Sequence, residues 1–164
     1  MAWISNNIEN LINYRISQEE YSSRLYLAMS NWLQNNGYNG ASKLFKKWAD
    51  EEMVHANFSY SYLQDINCMP KVPAIEAPSM EYSGLKDIMS KALEHELKIT
   101  EQCNELVKAC HTENDYVTLN LGLKYTNEQI EELAKTTYWN DRLEEFGDSK
   151  SSLLTIDNEM GENL

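Results

Sequence analysis

The stretch CMPKVPAIEAPSMEYSG, residues 68–84, decides the architecture. Pro70, Pro73 and Pro78 each remove a backbone donor and crowd the preceding turn, so this segment cannot be helical throughout. On both sides of it lie long proline-free runs with helical periodicity. They span about 6–35 and 41–67 before it, and about 84–110 and 116–146 after it. A helix of about 27 residues is about 40 Å long. About 15 residues of extended chain reach about 50 Å. The proline-rich link can therefore travel the length of a helix, which makes helices two and three parallel. The other two connections, NNGYNG (35–40) and HTEND (111–115), are short and favour antiparallel neighbours. The expectation is an all-α, four-helix bundle with one long crossover between helices two and three. A short fifth helix, about 149–158, follows, in a single domain over residues 1–164. Ser5 and Ser83 are expected to cap the first and third helices, and Gly147 to end the fourth.

Six glycines and three prolines in 164 residues are too few for a turn-rich β protein, and 42% hydrophobic residues suit a packed core. A net charge of −12 argues against nucleic acid or an anionic membrane as partner, and leaves cations as candidates. The opening MAWISNNIEN lacks a basic region followed by an apolar run, and no stretch is long and apolar enough to span a bilayer. Cys68, Cys103 and Cys110 form no CxxC pair. They are read as free thiols in a reducing cytoplasm, with Cys103 and Cys110 filling the core.

Within WADEEMVHANF, residues 48–58, Glu52 and His55 interrupt the helix face that should be apolar. Steps of seven residues keep to one face of a helix. Such steps give Ile12–Glu19–Tyr26–Leu33, Phe45–Glu52–Ser59–Ile66, Met89–Glu96–Cys103–Cys110 and Tyr125–Glu132–Trp139–Phe146. Each stripe carries one mid-helix glutamate, and none carries Lys or Arg. In an up-and-down bundle the four carboxylates meet at one level. Four buried charges need compensation. Two divalent cations supply it, and His55 adds a neutral nitrogen ligand one turn from Glu52. Carboxylates with one imidazole and no thiolate suit iron or manganese better than structural zinc. Glu51, Glu128 and Glu131 lie beside this set and either hold a third, looser cation or simply face solvent. Tyr26 either hydrogen-bonds a ligand, supplies an electron or packs as a core tyrosine. Gln129 can orient a ligand or a water. His95 is expected to point away, and His111 falls at a helix end.

QEEYSSRLY (18–26), DEEMVHA (50–56), EHELKIT (94–100), NDYVTLN (114–120) and NEQIEE (127–132) together resemble the ferritins, most closely the bacterial non-haem ferritins. The resemblance covers about Ile8 to Met160. It implies iron storage with ferroxidase activity, by a homo-oligomer forming a hollow 24-subunit cage in the cytoplasm. Fe(II) and either O2 or hydrogen peroxide would be the reactants. It places one iron on Glu19, Glu52 and His55, with Glu52 bridging to a second on Glu96 and Glu132. Tyr26 and Gln129 match supporting positions, and Glu51, Glu128, Glu131 and Glu132 match an extra iron site. Lys124 and Ile130 depart from the Trp and His often found there in bacterial relatives. Leu119 and Gly122 replace acidic channel residues of animal ferritins. Met53 stands where bacterioferritins bind haem. The second Glu-x-x-His of bacterioferritins is absent, however, so no haem is expected. The alternatives are a di-iron oxidase or peroxidase without storage, a haem-binding bacterioferritin-like protein, and a catalytically poor cage subunit.

Overall fold

The computed structural model describes residues 3–164. It contains five helices in the order α1 (Asn6–Asn35), α2 (Asn39–Asp65), α3 (Leu85–Glu113), α4 (Tyr116–Phe146) and α5 (Lys150–Glu162), with no strand among the described residues. Ser5 caps α1, its side chain accepting from the Ile8 N–H, and Asp115 caps α4 by accepting from Thr118. Each satisfies one of the free amides that open a helix. Ser83 does not cap α3 as expected. The N-cap is Gly84, which has no side chain to offer, and the Asp87 carboxylate instead accepts from the Ser83 N–H. Gly147 does end α4, but at φ −85. It is therefore not a left-handed terminator; a side chain there would strike the Leu143 carbonyl and the Lys86 stem.

Two apolar clusters show how the helices run. One joins the late α1 residues Tyr26, Met29 and Leu33 to the early α2 residues Ala41 and Phe45, the early α3 residues Leu85 and Ile88, and Leu143 late in α4. The other joins Ile8 and Ile12 early in α1 to Leu63 late in α2, Cys103 and Leu106 late in α3, and Leu121 early in α4. Helices α2 and α3 thus start at the same end and run parallel. Residues 66–84 make the return along α1. Their start is tied by the Lys71 N–H to Asn13 Oδ1 (2.8 Å), and their end by the Tyr82 ring against Trp32 (6.1 Å). Asn67, at φ 57, turns the chain out of α2. Short polar residues such as Asn adopt this left-handed conformation most readily among non-glycines.

Helix α5 is longer than the sequence pattern indicates and closes one end of the bundle. Ser149 and Ser152 cap it reciprocally, and Ile156 and Met160 enter the first cluster. Its Asp157 does what Tyr38, the N-cap of α2, cannot. The Asp157 carboxylate accepts from the Ala41 N–H (2.7 Å) and the Gly40 N–H (3.2 Å), so α5 caps α2 from across the chain. Backbone approach makes this possible, because a Cβ on Gly40 would overlap the Asp157 carbonyl and lie 2.9 Å from the Gly161 nitrogen. Gly40→Ala is therefore expected to destabilise the protein by about 1–3 kcal/mol, the usual cost of overpacking. Gly84→Ala, where a Cβ meets nothing, serves as the control in the same thermal melts. Equal melting temperatures for the two variants would refute this account of α5 docking.

Candidate metal centre

Between the two apolar clusters lies a layer of polar side chains. Glu19 of α1, Glu52 and His55 of α2, Glu96 of α3 and Glu132 of α4 are all buried, none more than 6% exposed. Their mid-helix positions put them at one level, where the apolar stripes of four helices converge. Among the described residues, two sets of ligating atoms lie within 4.8 Å of one another. They are Glu19, Glu52 and His55, and Glu52, Glu96 and Glu132. Glu52 belongs to both. His55 Nδ1 stands 3.2 Å from Glu52 Oε2 and 3.8 Å from Glu19 Oε2, so this nitrogen faces the carboxylates.

Hydrogen bonds set the orientation of Glu96. The Tyr26 hydroxyl donates to one of its oxygens, and the Gln129 amide donates to the other at 3.0 Å. Gln129 also donates to Thr100 Oγ1 at 3.1 Å, which fixes the amide in turn. Tyr125 anchors the helix turn bearing His55, its hydroxyl donating to the His55 carbonyl at 2.8 Å. His95 points away from the carboxylates, toward Ser22 Oγ at 2.7 Å, with its ring edge-on to Tyr26. Burial pushes its pKa down to about 4, so it packs as a neutral ring. His111 is exposed at the end of α3. Cys103 and Cys110 are buried core residues, and burial pushes the Cys103 thiol up to about 12.

Two cations that the sequence stripes do not contain reach this layer from neighbouring positions. Arg15, 1% exposed, pairs with Glu19 one turn away, donates to Gln102 Oε1 at 2.7 Å and stacks over the Tyr125 ring. Lys135 lies 2.6 Å from Glu132 Oε2 and 2.9 Å from Glu51 Oε2. The carboxylates are thus partly compensated by the protein itself. The local signal was present in both cases: Arg15 precedes Glu19 by four residues and Lys135 follows Glu132 by three, the spacings at which helix side chains meet. A scan at steps of seven passes over them.

Compensation is incomplete. Burial is the largest cause raising the pKa of Glu52, with Glu19 and Glu96 adding repulsion. Burial likewise raises Glu96 against the opposing bonds from Tyr26 and Gln129, and it lifts Glu132 to about 7. Glu132 Oε2, though close to Lys135, lacks a hydrogen bond of proper geometry. A buried carboxylate oxygen with a free lone pair, in a set of hard oxygen donors with one imidazole, fits a divalent transition metal.

The remaining predicted residues do not join these two sets. Glu51 faces Lys135 and, at 3.8 Å, Lys47. Glu128 Oε2 lies 3.6 Å from His55 Nε2, on the ring edge opposite the carboxylates. Glu131, Ile130 and Met53 are exposed. Lys124 covers the face of Phe58 at 3.6 Å.

Comparison with known proteins bears on the family and the fold. Residues 9–146 match the model of the ferritin-like domain. A probable bacterial non-haem ferritin-like protein of Haemophilus influenzae is 37% identical over 158 residues, covering 96% of each chain. A bacterial non-haem ferritin of Escherichia coli is 36% identical over 149 residues, covering 91% of this chain and 90% of its own. The open pore ferritin of the hyperthermophilic archaeon Archaeoglobus fulgidus superposes with a TM-score of 0.95 at 30% identity, covering 98% of both chains. The chain belongs to the ferritin family. No described helix is long and apolar enough to cross a membrane.

The raised carboxyl pKa values carry a stability prediction for the metal-free protein. Glu132 binds its proton more tightly folded than unfolded, with a folded value of about 7 against 4.5. Its contribution is fully present below about pH 4.5 and is lost as the pH rises through about 7. The melting temperature of wild type in chelator is expected to fall relative to that of Glu132→Gln between pH 5 and pH 8. Parallel pH profiles for the two proteins would contradict the assignment.

Proposed function

We propose that the protein is an iron-storage ferritin with ferroxidase activity, in which Fe(II) is the substrate of the buried carboxylate centre. The observation that carries this reading is the pair of three-ligand sets joined at Glu52. One Fe(II) is held by Glu19, Glu52 and His55 Nδ1, and a second by Glu52, Glu96 and Glu132. A shared carboxylate keeps two metals close enough to act on both atoms of a dioxygen molecule. Each Fe(II) gives up one electron. O2 takes the two electrons with two protons to yield hydrogen peroxide; when hydrogen peroxide is the oxidant, it takes two electrons and two protons to yield two waters.

The side chains prepare this exchange. Glu52, Glu96 and Glu132 hold protons in the metal-free chain more tightly than free carboxyls do, and they give them up as metal binds. Tyr26 and Gln129 hold Glu96 so that its oxygens keep their direction through that change. Arg15 and Gln102 do the same for Glu19. Tyr26 also stands close enough to the centre to serve as an electron donor when one iron is missing. Haem has no part in the reading. The relatives named as non-haem ferritins support iron storage, and the resemblance of the sequence to the ferritins implies that it takes place in a 24-subunit cage in the cytoplasm.

Glu52→Ala is expected to slow the initial oxidation of Fe(II) by more than about 100-fold, since it removes a ligand from both metals. His55→Ala should slow it severely while leaving the helical content intact. Oxidation at the wild-type rate in either variant would refute the assignment. Storage is tested separately by adding excess Fe(II) in air and counting iron per sized particle. A large particle with far more than about two irons per subunit is expected; a small one that stops there identifies a di-iron oxidase or peroxidase instead.

A further inference from the structure

Outside the two ligand sets, the most unusual side chain of the centre is Lys135. Its ammonium lies between two carboxylates on different helices, 2.9 Å from Glu51 Oε2 on α2 and 2.6 Å from Glu132 Oε2 on α4. The same ammonium lies 5.1 Å over the Trp48 ring. The Lys135 side chain is 26% exposed, so most of it is seated against the bundle. A lysine on the outer surface of a helix gains little by pairing, because water competes. Here three features are combined on one side chain: an ion pair to a buried carboxylate, a hydrogen bond across helices, and an aromatic face.

Glu51, Glu128, Glu131 and Glu132 are the carboxylates that would have to come together around a third metal. The structure divides them. Glu51 and Glu132 close on Lys135, and Glu128 turns to His55 Nε2 at 3.6 Å. A metal on Glu51 and Glu132 would occupy the place of an ammonium already there. Both are cations, and a tethered one is always at hand.

We infer that Lys135 is a built-in cation that fills the outer position between Glu51 and Glu132, limiting each subunit to the two metals of the inner sets. It is a specificity-determining residue for the number of metals bound, acting through the carboxylates it occupies. The inference rests on the proposed ferroxidase centre, because the outer position has meaning only beside an inner one.

Lysine at this place has a further effect. Glu132 donates to the inner set while one of its oxygens faces Lys135. The lysine thus holds Glu132 in place through Oε2 and competes with metal for that oxygen. Removing the ammonium frees Glu51 and returns the full charge of Glu132 to metal. Arginine in its place keeps the charge and the two acceptors.

The test is a titration of the metal-free, assembled protein with Zn2+, which is redox-silent, followed by calorimetry. Wild type is expected to hold about two tight ions per subunit and Lys135→Gln about three. Lys135→Arg should remain at about two, and Lys135→Gln with Glu51→Gln should return to about two. That pattern separates a cation occupying the outer position from a lysine that merely packs. A Lys135→Gln protein that holds only as many ions as wild type overturns the inference and leaves the two-metal centre standing. A wild type that already holds a third ion, lost on Glu51→Gln, also overturns it. A wild type that holds no tight ion overturns both this inference and the ferroxidase reading. Circular dichroism of each variant confirms that the bundle is intact before the counts are compared.

Discussion

Burying four carboxylates at one level of a helical bundle is the constraint from which the rest of the structure follows. An ionised group in a protein interior costs several kcal/mol unless it is paired. The apolar material is accordingly divided, with one cluster on each side of the polar layer and no continuous hydrophobic column through it. Those two clusters hold the helices in register while the layer between them remains strained by like charges. The protein tolerates that strain by three devices: protons on the carboxyls, hydrogen bonds from Tyr26 and Gln129, and the fixed charges of Arg15 and Lys135.

The crossover makes this layer possible. Because residues 66–84 return the chain to the end where α2 began, each helix pair is itself a hairpin and the two hairpins face one another. Glu19 and Glu52 come from one hairpin and Glu96 and Glu132 from the other. The ligand sets then divide unevenly, since Glu52 crosses to join the second pair. Neither hairpin alone could assemble the second set, so a metal there would fasten the two halves together.

Much of this was legible in the sequence, for reasons that differ from residue to residue. The prolines between 68 and 84 fixed the topology by denying helix to a segment long enough to cross the bundle. The glutamates were visible because a charged residue on an otherwise apolar stripe violates the periodic pattern. Ser5 announced its cap by chemistry alone. Long-range contacts were not visible. Nothing local marks Asp157 as the cap of α2, because its partners lie 116 and 117 residues away. Gly40 looks like a loop glycine until the close backbone of α5 is seen. Ser83 looked like a cap, but Gly84 takes the N-cap position and no side chain caps α3; Asp87 instead accepts from the Ser83 N–H. Arg15 and Lys135 were hidden for a simpler reason: surface lysines and arginines are common at helix spacings, and only burial distinguishes these two.

Arg15 also bears on how firmly the proposed centre would hold an oxidised ion. Its guanidinium is fixed beside Glu19, one of the carboxylates facing His55 and Glu52, and no change of pH in the physiological range removes its charge. Repulsion between a fixed charge and an ion grows in proportion to the ion's charge, so it is about half again as large for a trivalent ion as for a divalent one. For the proposed uptake of Fe(II), oxidation raises the pull of the carboxylates and the push of Arg15 in the same proportion. A site built only of carboxylates would tighten on a trivalent ion by the full increase in charge; the guanidinium cancels part of that gain, so an oxidised ion is held less firmly than the carboxylates alone would hold it.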